Sequence, residues 1–161
     1  MMNKSRFHTA LLLSTAAMVL AACGGSGDVD ADSVVLHRGN SAEPLTLDPH
    51  KASGTWENND IGDMFIGLFT DDEHAAPIPG MAESWEVSED GLVWRFVLRE
   101  ATWSDGVPVT AQDFEYAFQR ILNPATLAQY SSLLYPIENA QAVNAGEMEA
   151  DAVGVTALDD R

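Results

Sequence analysis

Cys23 is the one thiol in the sequence, and Leu20-Ala21-Ala22 stands directly before it. Small residues ahead of a cysteine let a chain thread a narrow peptidase groove. The thiol can then carry a diacylglycerol, and the amine freed by cleavage can take a further acyl chain. Two or three acyl chains anchor a protein stably, whereas one is marginal. Residues 10–22 are apolar apart from Ser14 and Thr15, and Lys4 and Arg6 precede them. A bilayer-spanning helix needs about 20 apolar residues, so this stretch has the length of a signal-peptide core instead. Gly24-Gly25-Ser26-Gly27 follows the cysteine and has the composition of a flexible tether. The expectation is a lipoprotein signal peptide over residues 1–22, a lipidated Cys23 opening a flexible tether over 23–32, and a folded domain over 33–161. The mature protein is expected on the periplasmic or cell-surface side, lipid-anchored to the cell membrane or the outer membrane. With a single cysteine, no intramolecular disulfide can form.

Other reactive residues form no pattern. The histidines are His8, His37, His50 and His74, too far apart for the close pairs that metal sites use. There is no Gly-x-Ser-x-Gly elbow and no Walker-type phosphate loop. Paired carboxylates can do acid–base work, but nothing in the spacing of the 25 acidic residues selects a pair. The expectation is therefore no catalytic residue, no metal ligand, no cofactor and no enzyme activity. Aromatics remain: Trp56, Trp85, Trp94, Trp103 and Tyr116. Trp94 alternates within a strand pattern, and Trp85 and Trp103 flank it, so all three are expected in the core. Trp56 lies in an expected loop after Gly54, where an aromatic can meet a ligand.

The charge balance narrows the partners. Eight Lys and Arg against 25 Asp and Glu give a net charge of −17. Loss of residues 1–22 removes Lys4 and Arg6 and no acid, so −17 becomes −19. Such a surface argues against nucleic acid and anionic membranes as partners, since both need Lys and Arg. A solvated acidic surface is its plainest use.

The elements that must position these residues follow from periodicity and turn chemistry. Residues 33–37 read as a short strand and 43–49 as an extended segment. Lys51 to Thr55 reads as a loop, with Gly54 its flexible point. Over 57–69, Ile61, Met64, Phe65 and Leu68 recur at helical spacing, weakened by Gly62 and Gly67. Residues 70–79 read as a Pro-containing loop. Residues 84–99 read as a hairpin turning at Glu89-Asp90-Gly91, with Leu92, Trp94, Phe96 and Leu98 on one face. Trp103-Ser104-Asp105-Gly106 marks a second turn. Over 110–122, Thr110 and Asp113 make a capping box, and Phe114, Ala117, Phe118, Ile121 and Leu122 form an apolar stripe. Asn123-Pro124 ends that helix. A further short helix is expected from Pro124 through Leu134, a weaker one over 137–145 closed by Gly146, and a strand followed by a turn over 153–161. The class is α/β, a mixed sheet with flanking helices. The last strand has nothing after it to pair with, so the chain is expected to be truncated.

Several of these runs resemble one family. Leu47-Asp48-Pro49-His50-Lys51, Gly67-Leu68-Phe69, the run from Met81 to Arg99 and the run from Trp103 to Phe114 are similar, in this order, to the oligopeptide-binding proteins of ABC importers, the family 5 extracellular solute-binding proteins. The resemblance extends from about Val34 to Arg161. It implies part of lobe I of a two-lobed, periplasmic-binding-protein type II-like fold that closes around a peptide and delivers it to permease subunits in the membrane, acting as a monomer. It also implies that the segment after the Leu-Asp-Pro motif, here Ser53-Gly54-Thr55-Trp56, runs beside the ligand and pairs main chain to main chain. Relatives carry a Glu where Ser53 stands. The same family includes binders of dipeptides, nickel complexes and sugars. Outside it, an anchored hydrolase would need a nucleophile, a base and an orienting group, and a purely structural lipoprotein would need no cleft.

Overall fold

The computed structural model describes residues 36–161. The expected signal peptide, the expected lipidation site Cys23, the expected tether and most of the first expected strand lie outside them. Leu36 and His37 belong to no strand. Asn40–Arg161 form one compact unit, which holds every helix and strand of the described residues.

Helix α1 runs from Thr55 to Met64. It starts two residues earlier than the apolar spacing suggests and stops before Phe65, which is extended at φ −125° and ψ 150°. Its one buried residue is Glu57, whereas Met64, Phe65 and Ile66 are exposed. The apolar spacing runs past the helix because Phe69 is recruited into a strand.

That strand, β1 (Phe69–Asp71), pairs antiparallel with β2 (Pro77–Pro79), where a loop is expected from the sequence. Asp72 closes the turn: its Oδ1 accepts from the N–H of His74 at 2.8 Å and of Ala76 at 2.9 Å. Prolines lack a donor and are confined to edge strands, which is why Pro-Ile-Pro does not announce a strand. Gly80 follows, and a Cβ there would collide with the Gly67 carbonyl and lie 3.1 Å from the Phe69 carbonyl carbon.

The second hairpin matches expectation. Strands β3 (Ala82–Val87) and β4 (Trp94–Leu98) pair antiparallel, with a bulge between Ala82 and Ser84. Gly91 turns the chain at φ +74°, a conformation that favours glycine. Burial along the expected face rises from Leu92, 81% exposed, to Leu98, 3% exposed. Trp85, Trp94 and Trp103, expected in the core, are all exposed. Among the described residues no second layer covers the β3–β4 ribbon, and Trp85 and Trp94 each pack on a phenylalanine ring. Phe69 meets Trp85 edge-on at 4.9 Å, and Trp94 stacks with Phe96 at 6.3 Å. The α/β composition is thus present, and the strands of the described residues form two separate antiparallel pairs.

Helix α2 spans Ala111–Leu122. The Asp113 carboxylate accepts from the Thr110 N–H at 2.8 Å, completing the expected cap. Beyond it, the expected helix from Pro124 to Leu134 is two 3-10 turns, Pro124–Thr126 and Ser131–Leu134, separated by Leu127 at φ +58°. The short α3 (Ala140–Asn144) ends near Gly146 at φ +72°. The strand expected within 153–161 is absent; Val153 instead joins Leu122, Ala140 and Val143 in the buried core. The chain's last residues run beside β4, where the Leu98 N–H donates to the Arg161 carbonyl at 3.1 Å.

Candidate ligand-binding segment

The four expected ligand residues stay together, but not as one extended strand. Ser53 and Gly54 are non-helical, and Gly54 is extended at φ −98° and ψ 157°. Thr55 and Trp56 open the first turn of α1. Trp56 is therefore a half-buried helix residue rather than a loop residue. Glu57, the third helical residue, draws the chain into the helix at this point: its Oε2 accepts from the Gly54 N–H at 2.6 Å, the return half of a capping box. Ser53 and Thr55 are exposed.

Side chains, not a neighbouring strand, hold this segment. Glu57 is 1% exposed, and its other oxygen, Oε1, accepts from the Leu45 N–H at 3.1 Å. One carboxylate thus ties the extended residues before the turn to the start of α1. Asn40 Nδ2 donates to the Trp56 carbonyl at 2.9 Å and to Asp60 Oδ2 at 3.1 Å. The Tyr130 hydroxyl donates to the Ser53 carbonyl at 3.3 Å. Among the described residues the Ser53 N–H has no acceptor. Trp56 Nε1 is buried and has no partner among them either. Gly54 lies so close to Glu57 and Trp56 that a Cβ would collide with Glu57 Oε2 and sit 2.7 Å from Trp56 Cε2.

The Leu-Asp-Pro-His motif anchors the other end. Asp48 accepts from Arg120 at both oxygens, Nη1 to Oδ1 at 2.8 Å and Nη2 to Oδ2 at 2.6 Å. This is the two-pronged geometry that makes arginine–carboxylate pairs specific as well as strong. Arg120 Nη1 also lies 2.8 Å from His50 Nδ1. A guanidinium can only donate, so Nδ1 is the acceptor and the ring proton sits on Nε2. The hydrogen bonds from Arg120, reinforced by its charge, hold the Asp48 carboxyl well below the usual carboxylate range. Burial, then the Arg120 charge, push His50 below its ordinary value, so it is neutral near pH 7. The Asp48 carbonyl accepts from Lys51 and Ala52 at 3.0 and 3.1 Å, which closes the turn leading to Ser53.

Sequence reasoning selected Ser53 to Trp56 and missed their supports: Asn40, Glu57, Arg120 and Tyr130. Glu57 carried a signal, three residues after the helix cap. Arg120 carried none beyond being basic in a last helical turn. Among the described residues no group of three His, Cys, Asp or Glu side chains could hold a metal ion, and no helix is long and apolar enough to cross a membrane.

Residues 76–161 match the family model described as bacterial extracellular solute-binding proteins, family 5 Middle. The chain is 46% identical over 155 residues to the periplasmic oligopeptide-binding protein OppA of Salmonella typhimurium, covering 94% of this chain and 28% of that protein. It is 44% identical over 153 residues to the periplasmic murein peptide-binding protein MppA of Escherichia coli, covering 93% and 28%. Among solved structures, Haemophilus influenzae OppA in complex with the peptide RPPGFSPFR superimposes with a TM-score of 0.72 at 46% identity, covering 75% of this chain and 24% of that one. The chain therefore spans a little over a quarter of the length of the curated relatives named here. With a match to the family model over half its length and with the shared fold, the chain belongs to the family 5 bacterial extracellular solute-binding proteins.

Proposed function

We propose that this protein is the extracytoplasmic solute-binding lipoprotein of an ABC importer, which captures peptides and delivers them to permease subunits in the membrane. The observation that carries this reading is the exposed Ser53 before half-buried Gly54, in a segment held by side chains and without a strand partner among the described residues. Main-chain groups are the same in every peptide, so pairing with them binds without regard to sequence. In this reading the Ser53 N–H and carbonyl pair with the ligand backbone, and the Tyr130 hydroxyl gives way at that carbonyl. Gly54, Thr55 and Trp56 border the ligand beside it, the last two from the head of α1. The names of the similar proteins, binders of oligopeptides and of murein peptide, support the peptide class. The function needs no cofactor, no catalysis and no partner copy. Cys23 carries the lipid that keeps the capture domain near its permease, raising local concentration.

Calorimetric titration of the whole protein with di-, tri- and penta-alanine tests the ligand class, with a nickel complex and an oligosaccharide run beside them. Saturable heat and a raised melting temperature with the peptides alone are expected. Binding of nickel or sugar without peptide would move the protein to another solute within the family. The absence of any peptide response would overturn the peptide reading.

A further inference from the structure

Asp48, His50 and Arg120 lie outside the segment proposed to touch the ligand, yet their geometry bears on it. Arg120 stands in the last turn of α2, where a cation suits the helix dipole. Its own carbonyl accepts from Thr126 Oγ1 at 2.6 Å, which fixes the helix end that carries the guanidinium. Two donors from one planar group reach three acceptors on a single turn: both Asp48 oxygens and His50 Nδ1. That turn is closed by the Asp48 carbonyl and passes through Ala52, 7% exposed, directly into Ser53. The path from the guanidinium to the Ser53 main chain thus runs through a closed turn with a buried residue at its end.

We propose that Arg120, Asp48 and neutral His50 form a proton-sensitive clamp that sets the position of the Ser53–Gly54 edge, so that acid loosens the edge and weakens ligand binding. Asp48, His50 and Arg120 are positioning residues. The chemistry of the third contact makes it proton-sensitive. A proton on His50 Nδ1 would face the N–H of Arg120, so the acceptor is lost and two cations meet. The charged and titratable groups around His50 are Asp48 on its own turn and Arg120 on α2, with Tyr116 one helical turn earlier bordering the guanidinium. Asp48 attracts a protonated His50; Arg120 and burial oppose it.

The ligand part of this inference rests on the peptide reading, and the test separates the two. Amide hydrogen exchange of the peptide spanning residues 50–58 is followed by mass spectrometry in the whole protein from pH 7.5 to 5, corrected for intrinsic rates. Protection in the wild type is expected to fall about tenfold on acidification. His50→Gln, which keeps an acceptor that does not titrate, is expected to flatten this dependence. Arg120→Lys, which cannot make the two-pronged grip, is expected to lower protection at every pH. Affinity for tri-alanine is expected to follow the same three patterns. A His50→Gln profile identical to the wild type, or wild-type protection in Arg120→Lys, sinks the clamp. A wild type that binds no peptide while the exchange pattern appears as expected sinks the peptide reading and leaves the clamp standing. Melting curves of both variants show whether any loss is global; if both lose protection uniformly across the chain at all pH values, the clamp is refuted in favour of a fold-wide role.

Discussion

Arg120 grips Asp48 across 72 residues of sequence, one nitrogen to each carboxylate oxygen at 2.8 and 2.6 Å. The pair is partly shielded, with side-chain exposures of 32% and 24%. It therefore lies between a screened surface pair and a fully desolvated one. Asp48→Asn removes the charge and turns one acceptor into a donor facing the guanidinium. Loss of about 1–3 kcal/mol is expected, read as a lower midpoint in urea unfolding.

The same cluster sets a pH dependence. Asp48 has a folded pKa below its ordinary value, so its contribution is full above the unfolded carboxylate pKa of about 4 and declines as pH falls further. His50 is also lowered, so the unfolded chain takes up its proton first, and stability declines as pH drops below about 6.5. Both shifts act in the same direction. Melting temperature is expected to fall in two stages between pH 7.5 and 3, and His50→Gln is expected to remove the upper one.

Three glycines test steric and conformational reasons separately. Gly54→Ala drives a methyl into Glu57 Oε2 and the Trp56 ring, and Gly80→Ala drives one into the Gly67 carbonyl. Backbone gives way less readily than a side chain, so Gly80→Ala is expected to be the more damaging, at the upper end of about 1–3 kcal/mol. Gly91→Ala meets open space and is strained only by its φ of +74°, a penalty of about 1 kcal/mol. Urea midpoints should rank the three in the order Gly91, Gly54, Gly80, from mildest to worst.

Glu57 is buried and accepts two backbone N–H groups. Glu57→Gln leaves one acceptor oxygen and places an amide donor against the other N–H. A loss of about 1–3 kcal/mol is expected. Hydrogen exchange should rise at Leu45 and Gly54 more than in β3 and β4; uniform exchange across the chain would count against this local role.

Lipidation at Cys23 is an expectation from the sequence alone. Cys23→Ala is expected to abolish incorporation of radiolabelled palmitate and release the protein from the membrane fraction. Palmitate labelling that survives the substitution would place the acyl chain elsewhere.

Much of the fold is legible in short-range chemistry. Thr110 and Asp113 cap α2 across three residues. Gly91 turns the β3–β4 hairpin, and the alternation of Leu92, Trp94, Phe96 and Leu98 sets its register. These signals close small rings or repeat at a fixed period, so they depend on neighbours a few positions away. The motif around Asp48 and the segment Ser53 to Trp56 are also visible, the latter through resemblance.

Other features depend on the path of the whole chain. Pro77–Pro79 becomes a strand only because Phe69–Asp71 lies beside it, and no periodicity in a Pro-Ile-Pro run says so. The exposure of Trp85 and Trp94 follows from a ribbon that no layer of the described residues covers, which alternation cannot reveal. The sequence by itself determined the family motifs and the locally closed turns and caps. Tertiary structure alone decided that Arg120 meets Asp48 and His50, that Glu57 joins Leu45 to Gly54, and that Tyr130 meets Ser53. Hydrogen bonds act over about 3 Å, so residues 72 or 77 positions apart can share one only after folding has brought them together.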